Sequence, residues 1–361
     1  HSSPNPTIGV EIELQLIDDN TLDLKNISSK VLADIDKKFC NRMKYELFES
    51  MIEINTDICS TIEEVEGDIK QTLRHLEEVL KNYNASINCS SLHPFARGKN
   101  QIISNDSRYK RIMNDLQIIG TRFITQGLHV HIGIDECEKV IKVNNALRIY
   151  LPLLLALSTS SPFYEGEDTG LYSYRTKIFE SLPLAGMPDY LNNWDHFTNI
   201  TENLIKANVI RSVKDLWWEV RPHPGFGTVE IRICDIPVNL IQILALVALM
   251  QALVVTIQNL DKYPDTHIQI LESNKWQAVR YGLEGTFIDP LTLKQLPIKK
   301  AIEDLCNLIE PVMISLGSAK YVRVIEEILI QGTGASQKRD IFKKSGKFEY
   351  MIKSMKERFY Q

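Results

Sequence analysis

An α+β fold is predicted by two features of this 361-residue chain. Several short stretches alternate polar and apolar residues with the period of a strand, and longer stretches between them space apolar residues by three and four, as helices do. The first and clearest strand is Gly9 to Leu16, GVEIELQL, with Glu11, Glu13 and Gln15 on one face and Val10, Ile12, Leu14 and Leu16 on the other. Carboxylates two apart on a strand point the same way and repel unless something positive lies between them.

The remaining elements follow in order. Ile27 to Phe39 has helical spacing, with Ser28 or Ser29 placed to cap it. Met51 to Ile54 alternates again and sets Glu53 against Ile52 and Ile54. Thr61 and Glu64 form a capping box for an amphipathic helix running to about Tyr83. Ala85 to Ser91 fits a short strand, Pro94 to Asn105 a loop, and Tyr109 to Thr121 a second helix. GLHVHIGI, from Gly127 to Ile134, puts His129 and His131 on one strand face. Ile141 to Thr159 is a strongly apolar helix in which Pro152 implies a kink or a break. The turn-rich stretch after it holds Tyr164, Tyr172, Tyr174 and Arg175, and reads as a ligand lid. Trp194 to Ile210 is helical. Leu216 to Asp235 forms a hairpin whose arms carry Glu219 with Arg221, and Glu230 with Arg232. Helices over Asn239 to Leu260, Leu296 to Leu316 and Ala319 to Leu329 precede a Lys/Arg-rich end, 332–361.

Composition narrows the function. With 44% hydrophobic and 24% charged residues the chain is globular, long enough for one large domain or two ordinary ones, and no linker divides it. A net charge of −5 argues against nucleic acid as a partner, although a local basic site could still hold a phosphate. Six scattered cysteines without a CxxC pair suit free thiols in a reducing cytoplasm. Gln242, Gln251 and Gln258 make the oily stretch Leu240 to Leu260 a buried helix rather than a membrane span. The opening HSSPNP, 1–6, reads as a trimmed or appended flexible end without an export signal.

Taken alone, an ExE strand is an ordinary solvated face. Three strands offering Glu11 with Glu13, Glu53, and Glu230, and a fourth offering His129 and His131, fit better as walls of a metal-filled cleft; the first two contain no Lys. Hard carboxylate oxygens suit Mg²⁺ or Mn²⁺. Carboxylate-held metals with arginines and no Cys–His or Ser–His–Asp set fit phosphoryl transfer, and the absence of GxxxxGK[ST] means that no P-loop holds the nucleotide.

GVEIELQL, SMIEINTDIC, GLHVHIGI, SSPFYEGEDTGLYSYR, WWEVRPHPGFGTVEIRICD and GTGAS, in this order, closely resemble the carboxylate–amine ligases of the glutamate–cysteine ligase type 2 family, over roughly Thr7 to Arg339. The resemblance implies a glutamine-synthetase-like catalytic fold, a curved, mainly antiparallel sheet funnel flanked by helices, spanning 7–361 as a single domain. It implies ATP and Mg²⁺ (or Mn²⁺) as cofactors, with glutamate activated as an acyl phosphate and joined to an amine such as cysteine. No membrane partner is implied, and the oligomeric state stays open, a homodimer being common among such relatives. Carried across, Glu11, Glu13, Glu53 and Glu230 would be metal ligands. His129 would be a metal or phosphate contact, and His131 a substrate contact. Arg232 would face the transferred phosphoryl group. Arg175, with Tyr172 and Tyr174 nearby, would bind the substrate carboxylate, and Arg221 would serve ATP or substrate. The chain departs from its relatives at Ile12, where an acid is usual, at Glu219, where the hairpin usually starts WD, and after GTGAS, where Gln337, Lys338 and Arg339 replace an earlier Arg. Two alternatives share the pattern: a guanidino-kinase-like phosphotransferase on the same fold, and a non-catalytic nucleotide-binding relative.

Overall fold

The computed structural model describes residues 6–360, so most of the opening HSSPNP lies outside the described residues. The alternation of the first strand becomes β1 (Ile8–Asp18), the long central strand of a seven-stranded sheet. Around it stand β2 (Met43–Tyr45), β3 (Met51–Asn55), β4 (Ala85–Asn88) and β5 (Leu128–Gly133). Past a small ribbon of β6 (Phe163–Tyr164) and β7 (Glu167–Asp168), the predicted hairpin supplies β8 (Val220–His223) and β9 (Thr228–Ile231). The order is β2-β3-β1-β5-β9-β8, with β4 also on β1, and every pairing is antiparallel. β3 takes one edge of β1, while β5 and β4 share the other, pairing with its first and second halves.

In this register most apolar side chains of the strands fall on one face, with Ile17 and Met51 on the other in a second, smaller cluster. Val10, Ile12, Leu14, Ile52, Ile54, Val130, Ile132, Val229 and Ile231 are each at most 2% exposed. Helices cover that face. α1 (Ser28–Ala33) precedes α2 (Ile62–Leu80), α3 (Ser107–Leu116), α4 (Cys137–Ser158), α5 (Tyr174–Phe179) and α6 (Trp194–Lys206). α7 (Leu240–Asn259), α8 (Ile268–Tyr281), α9 (Ile298–Ser315), α10 (Lys320–Gln331), α11 (Gly334–Ser345) and α12 (Phe348–Glu357) follow, with a two-strand ribbon, β10 (Thr286–Ile288) and β11 (Gln295–Pro297), before α9. One hydrophobic core runs from Ile8 to Phe359. Its centre is α7, whose 20 residues are apolar on all sides because α4, α9 and α10 surround it. α4 and α7 are both long and apolar enough to cross a membrane, yet 89% and 83% of their most apolar windows are buried inside the protein.

Three local expectations are revised. The Thr61–Glu64 capping box is present, but α1 is capped from outside: Glu49 accepts hydrogen bonds from the Ser29 backbone N–H (2.9 Å) and the Ser28 hydroxyl (3.1 Å). Pro152 sits inside α4 without breaking it. The stretch read as a lid is pinned. Buried Asp235 accepts from Ser160 N (2.8 Å), Ser161 Oγ (2.7 Å) and Ser173 Oγ (2.8 Å), and Arg339 of α11 pairs with Asp168. The six cysteines are all free.

Lys338 ties the C-terminal segment to this network, donating to Ser90 Oγ (2.5 Å) and to the Ser160 carbonyl (2.6 Å). Burial pushes its amine down to about 8, against the pull of Asp235. Because the folded protein favours the neutral amine, a penalty of about 3 kcal/mol applies below pH 8 and fades as the pH rises towards the unfolded value near 10.4. Denaturant melts from pH 7 to 10 should therefore show the wild type gaining stability relative to Lys338→Met above pH 8. A constant difference across that range would contradict this.

Candidate active site

The opposite face of the sheet is polar, and register makes it a continuous row. Glu13 stands opposite Glu53, Glu11 opposite His129, His131 opposite Glu230, and Glu230 opposite Arg221. Cross-strand partners lie on the same side of an antiparallel sheet, so residues far apart in sequence meet. They line a cleft of about 300 Å³ that also receives Glu46, Lys44, Arg108, Tyr109, His223 and Arg232.

Two groups in the cleft have the composition of a cation site. Ligand atoms of Glu13, Glu46 and Glu53 lie within 4.8 Å of one another, and so do those of Glu11, His131 and Glu230. In the first group, burial raises the Glu13 carboxyl to about 7, with Arg175 opposing and Glu53 adding to the rise. Burial and the charges of Glu53 and Glu13 push Glu46 well above the carboxylate range, and burial and Glu11 raise Glu53. Three acids gathered out of water repel one another, and a divalent cation between them removes that repulsion. In the second group, Thr228 Oγ1 fixes the His131 ring through Nδ1 (2.9 Å). This leaves Nε2 buried, without a hydrogen-bond partner, 3.6 Å from Glu11 and 3.8 Å from Glu230. A ring oriented by one nitrogen and bare at the other is how a ligating histidine is prepared. Burial raises Glu11 as well, but the two histidines outweigh it and hold its carboxyl well below the usual range. The donor set, mostly carboxylate oxygen, fits Mg²⁺ or Mn²⁺.

Of the two histidines, His131 falls in a ligand group as the atoms stand, while both ring nitrogens of His129 are buried without a hydrogen-bond partner. His129 faces Glu11 at 3.4 Å, and burial lowers its imidazole to about 4, leaving a neutral ring in the cleft. Glu46 was missed. It lies just past β2, off any strand alternation, and enters the site through the turn that joins β2 to β3. Leu47 N (3.2 Å) and the hydroxyl of Tyr109 (3.3 Å) both donate to its carboxylate. No period in the sequence marks such a residue.

The arginines also divide. Arg221 donates through Nε (2.6 Å) and Nη2 (3.3 Å) to Glu230, and through Nη1 to the carbonyls of Val213 (3.1 Å) and Leu216 (2.7 Å). Every nitrogen is engaged within the protein, so Arg221 acts as a clamp on Glu230, while it also lines the cleft where the contact with ATP or substrate is expected. Burial would raise Glu230, but Arg232 and Arg221 hold it well below the usual range. Arg232 bonds Glu230 only through Nη1 and also lines a smaller pocket beside the cleft.

Arg175 lies in that side pocket rather than in the cleft. Its guanidinium donates to the carbonyls of Ile233 (3.1 Å) and Arg232 (3.3 Å) and sits 4.7 Å over the Phe179 ring. The tyrosines expected beside it point elsewhere: Tyr172 carries Arg339 on its ring, and Tyr174 packs on Tyr164. The Asp235 network anchors the backbone on either side of them through Ser161 and Ser173. Gly127 makes room for the guanidinium, since a Cβ there would come within 2.3 Å of Arg175 Nη2. With the carboxylate and nucleotide substrates that the sequence resemblance implies, Gly127→Ala should displace Arg175 and lower kcat/KM for the carboxylate by about a hundredfold, the loss that a misplacement of about 1 Å produces. Steady-state kinetics with an unchanged KM for the nucleotide would support this, and a loss shared equally by both substrates would not.

Known proteins resemble this chain in sequence and in fold. Residues 7–357 match the model of glutamate-cysteine ligase family 2. A relative from Gloeobacter violaceus that carries the name glutamate–cysteine ligase 2 is 39% identical over 355 residues, 95% of this chain and 94% of its own. One of the same name from Solibacter usitatus is 36% identical, covering 98% and 93%. In three dimensions the chain resembles glutamate–cysteine ligase of Francisella tularensis in complex with AMP (TM-score 0.77, 13% identity, 99% of this chain and 88% of that one). It also resembles a bifunctional glutathione synthetase from Pasteurella multocida (TM-score 0.72, 14% identity, 98% of this chain and 52% of that one). At such identities the likeness concerns the fold.

Proposed function

Since this chain belongs to glutamate-cysteine ligase family 2, we propose that it is an ATP-dependent ligase that activates the γ-carboxyl of glutamate as an acyl phosphate and forms an amide with an amine, cysteine being the first to try. The observation that carries this reading is the pair of carboxylate-rich groups on one cleft face with Arg232 beside them. A glutamate carboxylate oxygen attacks the γ-phosphorus of ATP and ADP leaves; the amine then attacks the acyl carbon, phosphate departs, and the nitrogen loses a proton. Mg²⁺ held by Glu13, Glu46 and Glu53, and by Glu11, His131 and Glu230, would neutralise charge on the polyphosphate oxygens. Arg232 faces charge developing on the transferred group, Arg221 keeps Glu230 ionised and in place, and His129 remains neutral in the cleft. The AMP complex of the Francisella tularensis ligase supports an adenine nucleotide as substrate.

The test is ADP release with ATP, Mg²⁺, glutamate and a panel of amines, with the product identified by mass spectrometry. Release that requires both glutamate and an amine, with an amide as product, is expected. A stable phosphorylated product would favour the kinase alternative, and no release with any amine would overturn ligase activity.

A further inference from the structure

At the β2 end of the polar row lies a second hollow, a groove of about 590 Å³ beside the cleft of about 300 Å³. Lys44, Tyr45, Arg108 and Tyr109 line both, so β2 and the start of α3 form the partition between them. That partition touches the acid group of Glu13, Glu46 and Glu53: Lys44 Nζ lies 3.4 Å from Glu53, and the Tyr109 hydroxyl donates to Glu46 at 3.3 Å. Behind the partition the groove turns apolar. Its floor is Ile35 and Met43, both buried in the main core, with half-buried Leu32 packed beside them. Ala33 and Cys40 stand exposed at its rim. β2 is the edge strand, so no further strand covers the groove.

The strand order says which reactant the groove can serve. From β2 the row runs through β3, β1 and β5 to β9, and Arg232 follows directly on β9. The arginine assigned to the transferred phosphoryl group thus stands at one end of the row and the groove at the other, which leaves the groove end to the acceptor. We propose that the groove holds an apolar substituent of the acceptor amine, an alkyl or aryl chain several carbons long, whose nitrogen reaches past Tyr109 to the acids. The inference rests on the ligase reading above and deepens it by naming the class of amine. A substituent as short as that of cysteine leaves the groove to water, whereas a longer apolar one covers Leu32, Ile35 and Met43, and removing that surface from water favours binding.

Calorimetry on the full chain with Mg²⁺, a non-hydrolysable ATP analogue and glutamate tests this without turnover. Ethylamine, butylamine and hexylamine are titrated into wild type, and affinity should rise about threefold per methylene, the gain for a CH₂ group largely taken out of water. In Ala33→Trp an indole at an exposed position fills the groove, and the three amines should bind alike. A wild-type affinity that does not rise with chain length, or no binding of any amine, overturns the proposal, and this arm needs no variant. A rise that survives in both Ala33→Trp and Cys40→Trp overturns the assignment to the groove. A loss of affinity for the ATP analogue in Ala33→Trp gives the groove to the nucleoside and overturns it as well. Failure of the ligase reading is seen separately: longer amines bind more tightly, but none releases ADP from ATP.

Discussion

Glu53→Gln is expected to lower kcat for amide synthesis by about a thousandfold while raising the melting temperature of the metal-free protein. The two effects have one cause. Glu53 shares a small volume with Glu13 and Glu46, and ligand oxygens of the three lie within 4.8 Å. Burial and neighbouring acids raise all three carboxyls, so without a cation each ionised group strains the others. Gln keeps the shape and can still accept the hydrogen bond that Asn55 gives Glu53 at 2.8 Å, but it removes one of the repelling charges. The thousandfold loss corresponds to about 4 kcal/mol of missing charge stabilisation in the transition state. Millimolar Mg²⁺ should raise the melting temperature of wild type, because a ligand that binds only the native state stabilises it, and should do so far less in the variant. An equal Mg²⁺-induced rise in both proteins would remove Glu53 from the metal site.

Arg232→Ala and Arg221→Ala are expected to fail in opposite ways, although both guanidiniums touch Glu230. Arg221 has its nitrogens on Glu230 and on two backbone carbonyls, in a region where Glu230 is 1% exposed. Removing it strips a buried carboxylate of its two-point partner, which costs about 3 to 5 kcal/mol of stability. Arg232 leaves Glu230 still clamped by Arg221, so Arg232→Ala should fold with a nearly normal melting temperature. It should lose about a thousandfold in kcat with little change in the KM for ATP, the signature of an arginine that acts on the transferred phosphoryl group. Thermal melts paired with steady-state kinetics decide the matter. The reverse pattern, an unstable Arg232→Ala beside a stable but inactive Arg221→Ala, would refute the assignment.

The ligand groups were half legible in the sequence. Glu11, Glu13, Glu53 and Glu230 stand out because a strand's period of two separates them from an apolar face, and that face must be buried. Glu46 did not stand out, because it leaves the chain from a turn, where no period constrains it. Tyr172 and Tyr174 misled for a related reason: clustered aromatics near a turn suggest a lid, whereas the direction of each ring is set by partners, Arg339 and Tyr164, that lie elsewhere in the fold. Asp235, the residue that pins this stretch, is a single acid at the end of a motif, and only its three hydrogen bonds disclose its work.

By itself the sequence determined the central strands and the long apolar helices, though not β2, α8, α11 or α12, and with them which face of each strand is apolar and that acids would gather on the other. These are properties of local spacing, and burial of apolar surface enforces them whatever the topology. Only the tertiary structure decided that Glu13 meets Glu53, that His131 joins Glu11 and Glu230, and that Arg221 is a clamp while Arg232 keeps donors for a ligand. Strand order, register and the reach of long side chains depend on segments that lie from tens to more than a hundred residues apart. No local pattern records where those segments meet.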